Sequence, residues 1–118
     1  MEEMRHEMME MQEYNILNDI VDQMMEIFEE LDGSKKYIKS AIAHKSIDRT
    51  TADNMVSLSA QELQHAETIT DAVNRMFDKM KSENHPCYET MKKVWTHIHE
   101  RQVSYAAWIR QMHDRYKK

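Results

Sequence analysis

Glycine and proline are nearly missing from this chain, with one of each in 118 residues. Sheets with tight turns, glycine-rich phosphate loops and flexible linkers all draw on those residues, so the composition argues against them. Long helices joined by few turns remain. Cysteine is equally scarce: Cys87 stands alone and cannot close an internal disulfide, which suits a reducing cytoplasm and sets the expected location there. Long apolar runs are missing as well, and nothing approaches the roughly 20 residues of a membrane-spanning helix. The first residues are rich in Glu and Met and lack the basic-then-apolar order of a secretory signal. Positive charge is in deficit, with 16 Lys and Arg against 21 Asp and Glu and a net charge of −5. Such a chain is a poor partner for a phosphate backbone, which sets nucleic acid aside but leaves a basic protein surface open.

What is present is a helical pattern. Hydrophobic residues make up 41% and charged residues 31%, enough for one modest core in a single domain spanning 1–118. Apolar residues recur in steps of three and four over three segments. This predicts an all-α fold, an antiparallel bundle of three long helices over about 2–45, 50–83 and 88–116. The first stripe is read as Met4, Met8, Met11, Tyr14, Leu17, Val21, Met24, Phe28, Leu31, Ile38 and Ile42. The second is Met55, Leu58, Glu62, Ala66, Ile69, Val73, Met76 and Met80. The third is Met91, Val94, Ile98, Gln102, Tyr105, Ile109, Met112 and Tyr116. Gly33-Ser34 interrupts the first stripe, which resumes in phase at Ile38. One continuous helix is therefore expected, with a mid-helix glycine that costs about 1 kcal/mol. Asp48 or Thr50 is placed to cap the second helix, and Pro86 to stop it. The opening "MEEMRHEMMEM" reads as a soft packing surface rather than a metal-binding strip, suited to a second copy of the chain or to another protein.

Polar residues on the apolar stripes carry the functional question. Glu62 sits near the centre of the second stripe, with His65 about 60° round the same face. A buried carboxylate without a partner is costly enough to bind a proton or a cation. Residues three apart are neighbours on a helix surface, so Glu-x-x-His can offer two ligands to one metal. If the first two helices are antiparallel about Ile47, His65 faces roughly residue 30, and Glu30 is there. Asp19, Asp22 and Glu26 share that edge, so Glu30 also fits a solvated acidic face. On the third helix Gln102 points inward, Arg101 could pair with Glu62 without any metal, and His99 lies at the margin as a fourth candidate ligand. His97 and Glu100 project away from the stripe. Cys87 reads as a free turn thiol, Trp95, Trp108 and Tyr105 as core or interface packing, and His6, His44 and His113 as surface residues.

Glu30 followed by "ELQH" across a helix hairpin resembles the first half of ferritin-like and rubrerythrin-like proteins. There a glutamate on one core helix and Glu-x-x-His on the next bind a di-iron centre. The stretches "KKYIKSAIAHKS", "ADNMVSLSAQELQHAETI" and "VWTHIHERQ" are similar, more specifically, to small ferritin-like proteins of phages and prophages of Firmicutes. The resemblance implies Glu30, Glu62, His65 and His99 as metal-site residues, and iron or manganese as the cofactor. A full site of that family draws on four helices and a second Glu-x-x-His. This chain has three helices and no second motif, leaving open a mononuclear site, a site completed across a homodimer, or a vestige. Three functions follow as expectations: a helical interaction or assembly protein of phage type with a partial metal site, a metal-binding protein with redox activity, and an acidic inhibitor of a host defence complex. No catalytic residue is assigned.

Overall fold

The structure, a computed structural model, describes the backbone of residues 2–118, and the side chains of Met4 and of residues 16–118. It consists of three helices, α1 (Glu2–His44), α2 (Arg49–Ser82) and α3 (Tyr88–Lys117), with no strand among the described residues. Helix ends fall within one residue of those expected from the pattern. The molecule is elongated, 69 × 23 × 15 Å. Among the described residues, no helix is long and apolar enough to cross a membrane. Met8, Met11, Tyr14 and His6, and with them the expected methionine-rich partner surface, lie outside the described side chains; Met4 is exposed.

The turns have local causes. Asp48 caps α2, accepting from the Thr51 amide at 3.2 Å and from its hydroxyl at 2.6 Å. α2 does not end at Pro86 itself. It ends in a left-handed residue, Asn84 at φ 52°, after which the His85 amide donates back to the Met80 carbonyl and the Asn84 amide to that of Lys81. Asparagine tolerates this conformation better than other side-chain-bearing residues, and the paired bonds satisfy carbonyls that the helix end would otherwise leave free.

The buried residues correct the expected stripes. On α1 they are Ile20, Met24, Ile27, Leu31, Ser34, Ile38 and Ala41. On α2, Ala52, Ser59, Ala66, Val73 and Met80 repeat every seventh residue, joined by Phe77, and on α3 Trp95, Gln102, Ile109 and Tyr116 do the same. Val21, Leu58 and Val94, assigned to the stripes, are 47%, 40% and 44% exposed. Each is one residue away from a buried neighbour, Ile20, Ser59 and Trp95, and the seven-residue repeat that keeps one column against its neighbours selects that neighbour.

Cross-helix contacts fix the directions. Ser34 meets Ser59 and Glu30 meets His65, so numbers fall on α2 as they rise on α1, about a midpoint at Ile47. α3 turns back again. Its Trp95 indole donates to Asn74 at 3.0 Å, and its far end brings the Tyr116 hydroxyl onto Asp53. The core is continuous between the helices, with Phe77 stacked on Trp95 at 6.2 Å.

Candidate metal centre

Midway along the α1–α2 pair the core turns polar. Ser34 and Ser59 are fully buried, and each hydroxyl donates to the other's backbone carbonyl at 2.8 Å. Two small residues face each other here, which lets the backbones approach closely enough for this exchange. With its proton committed to the Ser34 carbonyl, the Ser59 oxygen accepts from Nε2 of His113 at 2.8 Å. His113, expected at the surface, is thus half-buried against α2. Burial, reinforced by Lys117 and opposed by Asp114, holds its pKa below the ordinary 6.5.

Next to this serine pair lie the residues singled out from the sequence. Glu30, Glu62 and His65 each bring one donor atom to a point where all three atoms are within 4.8 Å of one another. Nδ1 of His65 is 3.6 Å from Oε2 of Glu30, too long for a hydrogen bond. That Oε2 is buried and has no hydrogen-bond partner. Glu62 beside it raises the Glu30 pKa above the ordinary 4.5, burial adds to this, and His65 opposes it. The Glu30 side chain is 21% exposed and that of His65 60%, so the group opens to solvent on the histidine side.

Gly33 belongs to the same constellation. A Cβ at this position would stand 3.3 Å from Oε2 of Glu62, tighter than ordinary contact. Only glycine leaves the Glu62 carboxylate unhindered where it crosses α1. The α1 helix nevertheless runs unbroken through Gly33 and Ser34. The sequence suggested a tolerated interruption; its closeness to Glu62 is visible only once α2 is in place.

His99 is elsewhere. It lies on α3, stacked on Trp95 at 4.8 Å, and lines the groove between α2 and α3. Leu63, Glu67 and Thr70 of α2 line that groove too, whereas Glu62 and His65 stand on the opposite flank of the Ala66 column. Shifting the second turn would not bring His99 round the helix, so the His99 candidacy is not supported by its position. Arg101 is exposed and makes no ion pair with Glu62. Gln102 does point inward, buried, with Nε2 donating to the Met24 carbonyl at 3.2 Å. Cys87 is a free thiol at the start of α3.

The donor set suits a divalent metal on its own evidence. Two carboxylates and one imidazole are a borderline-hard combination that iron, manganese or zinc accepts. Three protein ligands with the remaining positions open is the pattern of reactive rather than purely structural sites. The orphaned Oε2 and the cleared space at Gly33 are what such an ion would use. No family model, curated protein or solved structure matches this chain.

Proposed function

We propose that this chain is a helical metal-binding protein of ferritin-like type in which Glu30, Glu62 and His65 hold one divalent cation. One observation carries the reading. Two carboxylates and an imidazole from two helices converge within 4.8 Å, and one of the carboxylate oxygens is buried without a hydrogen-bond partner. Without a cation, the pair of glutamates must hold a proton or repel each other. With one, both stay ionised, and the ion contributes Lewis acidity or redox capacity at a position open to solvent. Iron and manganese are the metals the resemblance implies, and a phage or prophage setting with a cytoplasmic location is part of the same proposal.

A second reading concerns assembly, and a specific observation favours it. Among the described residues, no helix covers the flank of the α1–α2 pair turned away from α3. Tyr37 and Leu58 are 37% and 40% exposed there, with Met55, Ile69 and Met76 partly exposed alongside the metal residues. A homodimer formed through this flank would place a second Glu30, Glu62 and His65 near the first. The interaction-protein reading and the metal reading then describe one surface. An acidic inhibitor of a host complex draws no support from the geometry.

Elemental analysis of untagged protein, reconstituted separately with iron, manganese and zinc, tests the proposal against Glu62→Ala and His65→Ala. The expected result is stoichiometric metal in the parent chain and loss in both variants. A parent chain that stays metal-free under all three conditions refutes it. Light scattering of the same samples reports whether metal loading and dimer formation go together.

A further inference from the structure

α3 supplies no donor to the Glu30, Glu62 and His65 group, yet it reaches the contact that spaces the two helices that do. The donors stand on α1 and α2, so their separation follows the separation of those helices. Local bonds do little to adjust it: Oε2 of Glu30 is buried without a hydrogen bond, and Nδ1 of His65 is 3.6 Å from it. The margin is narrow as well. A Cβ on Gly33 would stand 3.3 Å from Oε2 of Glu62 and 3.8 Å from its Cγ.

The serine pair sets that spacing close by. Ser34 lies four residues from Glu30 on α1, and Ser59 three residues from Glu62 on α2, about one helical turn in each case. Both serines are fully buried, and each has one proton to donate. In the reciprocal arrangement both protons cross the gap, from Ser34 to the Ser59 carbonyl and from Ser59 to the Ser34 carbonyl, each at 2.8 Å. A competing arrangement is within reach. The two hydroxyl oxygens are 2.9 Å apart, so Ser34 can instead donate to Oγ of Ser59 and release the Ser59 carbonyl.

His113 decides between the two. Its Nε2 is 2.8 Å from Oγ of Ser59. With Nε2–H donating there, the Ser59 oxygen is already supplied, and both serine protons stay on the opposing carbonyls. Without that donor the Ser59 oxygen draws the Ser34 proton, and one of the two hydroxyl-to-carbonyl bonds across the helices is lost. α3 was expected to act on this centre through His99; the residue that reaches it is two turns of α3 further along the helix.

We infer that His113 is a positioning residue for Glu30, Glu62 and His65: it holds the serine pair in its reciprocal arrangement and so fixes the α1–α2 spacing at the proposed metal centre. The consequence for metal affinity rests on the metal reading, whereas the effect on spacing does not.

His113→Leu, His113→Gln and Arg110→Gln are compared with the parent chain by two readouts. In metal-free protein, the nuclear Overhauser contact between the Gly33 Hα and Glu62 Hγ protons reports the spacing directly. Manganese is then titrated into each chain, with the free ion followed by electron paramagnetic resonance. His113→Leu should lose the Gly33–Glu62 contact and bind manganese about tenfold more weakly, the lower end of what residues behind the ligands contribute. His113→Gln, whose amide nitrogen can donate from the place of Nε2, should keep both. Arg110→Gln removes a different α2–α3 contact, the 2.7 Å pair with Glu67, and should alter neither. Should His113→Leu fail to fold, His113→Asn, polar but too short to reach Ser59, should show the same two losses. An intact Gly33–Glu62 contact with parental affinity in the variant that lacks the donor overturns the inference, as does an equal loss in Arg110→Gln. A parent chain that takes up no manganese counts against the metal reading, and the Gly33–Glu62 contact then decides this inference alone.

Discussion

At the residue scale, the proposed metal centre sets two demands against each other at Gly33. Replacing a mid-helix glycine by alanine stabilises a helix by about 1 kcal/mol. Here the new Cβ meets Glu62 Oε2 at 3.3 Å, and that oxygen is the end of a flexible, half-buried side chain that can give way. Gly33→Ala should therefore raise the unfolding midpoint of metal-free protein while weakening metal binding about tenfold, roughly 1.4 kcal/mol. Denaturant melts of the apo chain and metal titrations of the same sample would show both effects. A gain in stability with unchanged affinity would remove Gly33 from the site. Glu30 provides the pH dependence. Its folded pKa is raised above 4.5 by Glu62 and by burial, so the folded chain holds that proton more tightly than the unfolded one. This contribution to apo stability is complete below 4.5 and is lost as pH rises through the raised value. A cation takes the proton's place, so the gap between loaded and apo melting temperatures should widen with pH over the same window. Glu62→Gln should flatten both curves. Neither Gly33 nor the buried Glu30 oxygen could be recognised from the sequence as more than a glycine and one acid among several. What was legible was the spacing: Glu62 and His65 on one helix face, and Glu30 the same distance from the turn as His65.

At the element scale, α1 and α2 are clasped by Ser34 and Ser59, two hydroxyls on opposing helices that bond each other's carbonyl groups. Ser59→Ala would leave His113 Nε2 without its partner, while the Ser34 carbonyl keeps its bond within α1, and an unsatisfied buried group costs about 1–3 kcal/mol. The expected destabilisation is therefore about 1–3 kcal/mol, large for the loss of one oxygen. Chemical denaturation would measure it, and a loss within 0.5 kcal/mol of zero would mean that water replaces the hydroxyl. The turns carry smaller sums. Asp48→Ala should cost about 1 kcal/mol through the lost α2 cap. Asn84→Gly should be neutral or stabilising and Asn84→Ala should destabilise by about 1–2 kcal/mol, because Asn84 holds a left-handed conformation. The extents of the helices were legible because capping and breaking residues act locally. The buried columns were not. Val21, Leu58 and Val94 each stand one residue from the buried position, whereas Ala52, Ser59, Ala66, Val73 and Met80 form one column by recurring every seventh residue. Alanine and serine in those positions give no hydrophobic signal, so a search for large apolar residues moves to the flanks.

At the scale of the whole molecule, one side of the α1–α2 pair is covered by α3 and the other is uncovered. The candidate metal residues open onto the uncovered side and the groove lined by His99 and Gln102 lies on the covered one, so the buried Ala66 column of α2 separates the two in a body only 15 Å across its thinnest dimension. A three-ligand centre beside partly exposed Tyr37, Leu58 and Met55 is an arrangement that a second copy could complete. If assembly and metal binding share that flank, charge placed next to the metal residues should separate them. Leu58→Glu leaves Glu30, Glu62 and His65 in place but sets a carboxylate against its own counterpart across a two-fold contact. The expected outcome is a monomer by light scattering at every metal concentration, with metal still bound but about tenfold more weakly, the loss of whatever the second copy donates. The apo chain should fold as before, since Leu58 is already 40% exposed. A variant that binds metal with undiminished affinity as a monomer would show a centre complete within one chain. A parent chain that is monomeric with metal bound would give the same answer without any mutation. A variant that still dimerises would place the contact elsewhere, with the exposed Val94, Val103 and Trp108 of α3 as the next surface to alter.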